Sequence, residues 1–530
     1  MNDEFPARPP FSEITRRSVL RLGAAGIGAI ASAPLLAACG GSSSSDTGAA
    51  KKGGDLTIVR AQDSVNMDKT MVFSNASLWV YQQMYEPLVI MTDDGKGVKP
   101  WLAESFEMSP DNLRCTLKLR KGVKFHNGQP MTSADVKFTI EESSKTSGGW
   151  EFINSAIKDI STPDDLTVVV RTKYPWAPLL ADLSCPNNGI IPKDYAGKSK
   201  SAFYKAPIGT GPFVWGTWRK GSALTLKKNA HYWQPGKPFL DSVTWKVVPD
   251  GNSRALQLQG GQAQINEAPP FSSVPQLRNT PTVKVDMFPS TRTDYILMNQ
   301  KVKPYDDIHV RRAISYAIDR KTMVKNILFG AGTPANSFMM PSTPYYDPQC
   351  PGIQFDMAKA KEEMAKSSVP HGFTTTFMAI SGDEVDAAVA QILQAALKQL
   401  GITMKIQNTD PSAQHDLTTK LQYQIAHSYW TMDLADPDEL AQFALDPNSG
   451  GHSFNTGMND KDLISLVRKA EHEFDPKKRQ ALYSEMQTKA AESAFLAFLF
   501  YTPFPYATSK SVKGFKVLPT GFYHVEDISL

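Results

Sequence analysis

The stretch His427-Ser428-Tyr429-Trp430-Thr431-Met432-Asp433-Leu434-Ala435-Asp436-Pro437-Asp438 gathers an imidazole, an indole, two hydroxyls beside a phenol, and three carboxyls into one short run. Gln424 to Ala426 reads as the end of a strand, so these side chains emerge at a strand terminus, where ligands of open α/β sheets sit. The chemistry on offer is binding. Asp433 either contacts a ligand or braces its own loop, and Trp430 is either a ligand platform or wall packing. Thr431 stands between them as a candidate contact. His427 is a candidate contact as well, although a lone His at a strand end is more often simply hydrogen-bonded. Asp436 and Asp438 flank Pro437 and shape a turn.

Reaction chemistry finds no foothold in the chain. There is no G-x-S-x-G elbow and no H-E-x-x-H helix to place a nucleophile or a metal. No CxxC and no pair of His at ligand spacing occurs, so neither a metal nor another cofactor is expected. Gly209-Thr210-Gly211-Pro212 lacks the Lys-Ser/Thr of a phosphate loop, and Pro212 has no backbone N–H to donate; it reads as a tight turn feeding the strand from Phe213. The expected protein is not an enzyme.

A chain of 530 residues with formal charge +4 can build several cores, and its balanced charge gives no reason to expect a nucleic-acid partner. The first 38 residues are set aside as a targeting segment. Thr15-Arg16-Arg17-Ser18-Val19-Leu20-Arg21 resembles a twin-arginine export motif, and Leu36-Ala37-Ala38-Cys39 resembles a bacterial lipobox. The apolar run between them, Leu22 to Ala38, is rich in Gly and Ala and broken by Pro34, too short and weak for a stable span. Removing residues 1–38 takes away four Arg and three acids and leaves a mature charge of +3. Cys39 is then the lipid attachment point, residues 39–54 a flexible tether, and the expected location the outer side of the cell membrane, facing periplasm or exterior. Cys115, Cys185 and Cys350 remain, which allows at most one intramolecular disulfide.

The elements that must position the candidate residues come next. Ser74 and Asn75 precede a helical run to Tyr85; they are read as a cap, and also as a loop facing a ligand cleft. Residues 85–195 read as an inserted domain, with a helix capped by Thr132 or Ser133 and a strand LTVVVRT. The period changes between Asp294 and Gly330: Tyr295 to Met298 is a short buried strand, and Val310 to Leu328 repeats at helical spacing behind a cap at Asp306 or Asp307. That change places a crossing between two lobes near Met298, with the return near Phe500 inside a buried run Phe495 to Phe504. Lobe I is thus expected over 55–84, 196–298 and 501–530, and lobe II over 299–500. Asp383 to Leu400, then Gly401, then Ile402 to Ile406 is the helix-turn-strand unit of an α/β domain.

The wording is more specific than the pattern. LMNQ…PYDDIHVRRAISYAIDRKTMV…GAGTPA, YEPLV, WLAESFEMSPDNLRCTLKLRKGVKFHNGQPMTSADVKFTIEES, IGTGPFVWGTWRKGSALTLKKNAHYW and YWTMDLADPDE together resemble the family 5 solute-binding proteins of ABC importers, in the family's order. The resemblance implies an α/β, periplasmic-binding-protein-like (class II) fold, two lobes on a two-crossing hinge with an extra domain inserted in the first. It implies a monomer that hands a peptide or other small-molecule ligand to a permease and ATPase complex. Trp430 and Asp433 fall on the W-x-x-D motif of peptide-binding relatives, whose acid pairs with the ligand's α-ammonium; a charge-assisted bond inside a closed cleft suits that task. Arg292 is the candidate for a ligand carboxylate. A sensor on the same fold and an extracytoplasmic hydrolase are the competing readings.

Overall fold

The computed structural model describes residues 52–146, 149–448 and 452–530. Arg16, Arg17, Cys39 and nearly all of the tether lie outside the described residues.

Apolar runs that were legible as strands assemble into two large sheets. The first has seven strands in the order Val283–Phe288, Phe504–Ser509, Ile265–Glu267, Asp55–Arg60, Ser242–Val247, Ala223–Lys228 and Phe213–Arg219. Asp55–Arg60 pairs parallel with both neighbours, and its Leu56 and Ile58 enter the core of this lobe. The second sheet runs Thr333–Pro334, Leu496–Tyr501, Arg292–Met298, Ile425–Thr431, Thr374–Ile380 and Thr403–Thr409. Leu496–Tyr501 is buried along its whole length, as expected of a strand covered on both faces. Each such fully buried aliphatic or aromatic side chain contributes roughly 1.5–3 kcal/mol. A third sheet of four antiparallel strands, within residues 103–172, packs against helix Ser133–Lys145 around its own cluster of Leu117, Val136, Ile140 and Val170.

The chain passes between the two large sheets at Pro289-Ser290-Thr291 and returns at Thr502-Pro503. This corrects the crossings expected near Met298 and Phe500. Tyr295 to Met298 and Leu496 to Tyr501 lie wholly in the second sheet, where each pairs with the other. The polar break at Lys303-Pro304 drew the boundary too far along, because the true crossing carries no comparable change of period. The expected single strand Phe495 to Phe504 is likewise two strands in different sheets, Leu496–Tyr501 and Phe504–Ser509.

Another correction concerns the helix expected from Val310 to Leu328. It is two helices, Ile308–Tyr316 and Arg320–Ile327. Asp307 caps the first by accepting from His309 N at 2.8 Å, and Asp319 starts the second by accepting from Thr322 N at 3.1 Å. Both bury their apolar faces in one cluster, which is why the period survives the break. Helix Glu384–Lys398 ends as read: Gly401, at φ +75°, makes the left-handed turn into Thr403–Thr409. The three cysteines Cys115, Cys185 and Cys350 are free and buried, so the one disulfide that their number allowed is not formed. Among the described residues no helix is long and apolar enough to cross a membrane.

Candidate ligand-binding site

Strand Ile425–Thr431 sits in the middle of the second sheet, between Arg292–Met298 and Thr374–Ile380. It ends at Thr431, later than the expected Ala426, so His427 to Thr431 alternate on the strand itself and only Met432 onward leaves it. The loop that follows enters the first lobe: Leu434 and Ala435 belong to the apolar cluster built around the first sheet. Helix Asp438–Leu445 then begins, and its Phe443 meets Phe152 with ring centroids 4.8 Å apart.

Asp433, the second loop residue, is buried, and its Oδ1 has no hydrogen-bond partner. It borders a cavity whose other walls come from the first lobe, among them Gln82, Tyr85, Ser184, Phe522 and Tyr523. Burial pushes its carboxyl up to about 8. Two clamps hold the loop. Thr291, in the first crossing, donates its hydroxyl to Met432 O at 3.0 Å and accepts from Met432 N at 3.1 Å, while its own N–H donates to Pro519 O at 2.7 Å in the first lobe. Glu439 accepts the Asp433 N–H on Oε2 at 3.0 Å. Neither Thr291 nor Glu439 was singled out from sequence, although an acid in the first turn of a helix directly after the loop was a usable signal.

Thr431 is buried, and its Oγ1 accepts from Asn75 Nδ2 at 3.2 Å, a hydrogen bond between the lobes. Asn75 opens helix Asn75–Tyr81 with Ser74 at the cap position, but the Ser74 side chain makes no capping bond, which corrects that reading of Ser74. Trp430 packs at a tilt on Phe443 at 4.9 Å and Phe454 at 5.6 Å, and its indole Nε1 has no partner.

Two candidates are corrected. His427 is buried in the second lobe between carboxylates, Nδ1 3.0 Å from Asp386 Oδ1 and Nε2 3.2 Å from Asp294 Oδ1, and does not reach the cleft. Burial opposes its charge, but the hydrogen bonds to Asp294 and Asp386 outweigh this and raise it to about 9. Arg292 is not free for a ligand carboxylate. Its Nε and Nη2 fork onto Asp294 at 2.9 and 2.6 Å, and its guanidinium lies 3.6 Å from the Tyr429 ring centre. Burial would raise Asp294, yet the Arg292 charge and the His427 bond hold it down to about 2. The turn expected at Asp436 is present, with Oδ1 accepting Asp438 N at 2.9 Å, and the same carboxylate takes the guanidinium of Arg479. Among the described residues no group of three His, Cys, Asp or Glu could hold a metal ion.

Two α/β lobes joined by two crossings, with a cavity and a loop of one lobe seated in the other, define a solute receptor of the periplasmic-binding kind. The sequence profile of the bacterial extracellular solute-binding proteins, family 5 middle region, matches residues 97–452. The glutathione-binding protein GsiB of Salmonella choleraesuis is 30% identical over 485 residues, covering 90% of this chain and 94% of its own. Among solved structures, the ABC transporter-associated periplasmic binding protein DppA of Helicobacter pylori in complex with peptide STSA has a TM-score of 0.82 at 29% identity, covering 91% of this chain and 98% of its own. The oligopeptide-binding protein AppA of Bacillus subtilis, in complex with a nonapeptide, has a TM-score of 0.81 at 25% identity, over 91% of this chain and 100% of its own. The chain belongs to the family 5 extracellular solute-binding proteins and is the substrate-binding component of an ABC importer.

Proposed function

We propose that this protein captures a peptide-like or other amine-bearing solute between its lobes, without transforming it, and that Asp433 is the partner of the solute's ammonium. The observation that carries the reading is the Asp433 carboxyl, enclosed between the lobes with Oδ1 unpartnered at the wall of a cavity. A buried carboxyl left in that state costs stability, and an ammonium supplies both the missing charge and the missing donors. The DppA and AppA relatives are in complex with peptides, and GsiB is named for glutathione, so amine-bearing solutes are the class this reading draws on. Trp430, Thr431, Ser74 and Asn75 are proposed as further ligand contacts, although none lines the cavity at Asp433, and Asn75 with Thr431 favours the closed arrangement by bonding across the lobes.

The test is calorimetry with the tripeptide Ala-Ala-Ala and its N-acetyl form on wild type and Asp433→Asn. The variant keeps the shape and one acceptor, and its expected loss for the free amine is on the order of 2–5 kcal/mol. Equal weakening by acetylation in both proteins would exclude Asp433 as the amine's partner.

We further propose that the chain is exported and lipidated at Cys39 through the Arg16-Arg17 motif and the Leu36 to Cys39 box. The proposed body comprises two lobes that meet at residues 289–291 and 502–503, with 85–195 as a domain inserted in the first. Cys39→Ala should move the protein from the membrane fraction into the soluble one. Retention on membranes at high salt would contradict lipidation.

A further inference from the structure

Buried carboxyls crowd around the Asp433 loop, and they divide into two groups. Asp436 is paired with Arg479, and Asp446 and Glu471 share Arg468. The others have no Lys or Arg within ion-pair distance among the described residues. Glu439, 1% exposed, uses Oε2 for the Asp433 N–H and leaves Oε1 without a partner. Asp438 accepts from Gln442 Nε2 at 2.6 Å on Oδ2, and its Oδ1 is unpartnered. From the first lobe, the Asp182 carboxyl accepts from Trp176 Nε1 at 2.6 Å. The cavity beside Asp433 continues the pattern: its charged lining is Asp433, Glu86, Glu526 and His524, without Lys or Arg, and His524 already sits 2.9 Å from Glu526.

We propose that Asp433 and Glu439 act together as a carboxyl pair, and that the solute they select carries two positive charges at its amine end, an α-ammonium and a second ammonium or guanidinium within a side chain's reach. This rests on the reading of Asp433 above and narrows the solute to an N-terminally basic peptide or a related diamino compound. The pair is joined through the Asp433 amide, and each carboxyl keeps one oxygen without a partner, Asp433 Oδ1 at the cavity wall and Glu439 Oε1 buried. A single ammonium would balance one of the two. Burial is the largest cause raising Asp433, Asp438, Glu439 and Asp182, and Asp433 and Asp182 each raise Glu439 further, so these carboxyls hold their protons more tightly than exposed ones do until a cation stabilises the charged form. The cations nearest the site already have carboxylate partners, His524 on Glu526 and Arg479 on Asp436.

The test is calorimetry with Lys-Ala-Ala and norleucyl-Ala-Ala, which match in length and apolar stem and differ in the ε-ammonium. Wild type is expected to bind the lysyl peptide at least about tenfold tighter. Glu439→Gln should bring the two affinities together while keeping the preference for free over N-acetylated norleucyl peptide, and Asp433→Asn should lose both distinctions. Equal or reversed affinities in wild type would overturn the pair whether or not either variant folds. If acetylation still weakens the norleucyl peptide in that case, the Asp433 reading stands alone. If acetylation changes nothing, or neither peptide gives heat, that reading falls and the inference with it.

Discussion

Two buried charge clusters lie along one strand, and they are built in opposite ways. At His427, near the start of Ile425–Thr431, Arg292, Asp294, His427 and Asp386 alternate in sign, and Thr502 Oγ1 adds a fourth donor contact to Asp294 at 2.6 Å. Every group there has its complement within the chain. Just past the end of the same strand, Asp433, Asp438 and Glu439 each hold an oxygen with no partner. A protein that can complete one cluster and leaves its neighbour incomplete assigns them different tasks. The completed chain ties both crossings to the second sheet, because Arg292 follows one and Thr502 lies in the other. The incomplete one is the proposed seat of the solute's charge.

Breaking the completed cluster should have the largest effect. Asp294→Asn leaves Arg292 and His427 facing each other without the carboxylate between them, and the expected destabilisation is about 3–5 kcal/mol. Urea unfolding checks it; a midpoint close to wild type would mean that the crossings are held by packing alone.

The pH dependence of folding separates the clusters by sign. Asp433, raised to about 8, keeps a proton in the folded ligand-free protein that an unfolded carboxyl sheds above about 4. The folded state then binds more protons over that interval, so stability falls as pH rises from about 4 to about 8, by roughly 1.4 kcal/mol per pH unit. Asp433→Asn should flatten this decline. For His427, raised to about 9, the stability gained is fully present below about 6.5 and lost as pH rises through about 9. Asp294, held down to about 2, contributes above about 4 and loses its contribution as pH falls through about 2. Thermal melts across pH 4–9 check the comparison; an Asp433→Asn profile parallel to wild type between pH 4 and 8 would contradict it.

A smaller effect is expected at Thr291, the link between a crossing and the Asp433 loop. Thr291→Val leaves Met432 N–H and C=O without their bonds, about 1–3 kcal/mol, and Thr291→Ser should restore most of it. Affinity for an amine-bearing peptide is the readout, and a Val variant that binds like wild type would separate the loop from the hinge.

Much of this was legible in the sequence because it is local. The helix-glycine-strand unit ending at Gly401 and the W-x-x-D run at Trp430 to Asp433 are written in a few adjacent residues. The partners of His427 are not: Asp386 and Asp294 lie 41 and 133 residues away, so a lone His could not be distinguished from a ligand contact. Arg292 was a different kind of miss. Arg292 and Asp294 stand two apart on one strand, on the same face, and that spacing already pointed to a pair. The crossings were misplaced because a polar turn at Lys303-Pro304 looked like a boundary, while Pro289 to Thr291 changes sheet without changing composition.

The central claim is that the Asp433 carboxyl waits uncharged for an amine and ionises when it arrives. At a pH of about 6.5 a peptide ammonium is charged, and a carboxyl raised to about 8 holds its proton. Calorimetry of Ala-Ala-Ala binding at that pH, repeated in buffers of different ionisation enthalpy, counts the protons released. Wild type should release about one proton per peptide bound, and Asp433→Asn none. Binding without proton release in wild type, or the same release in both proteins, would contradict the account.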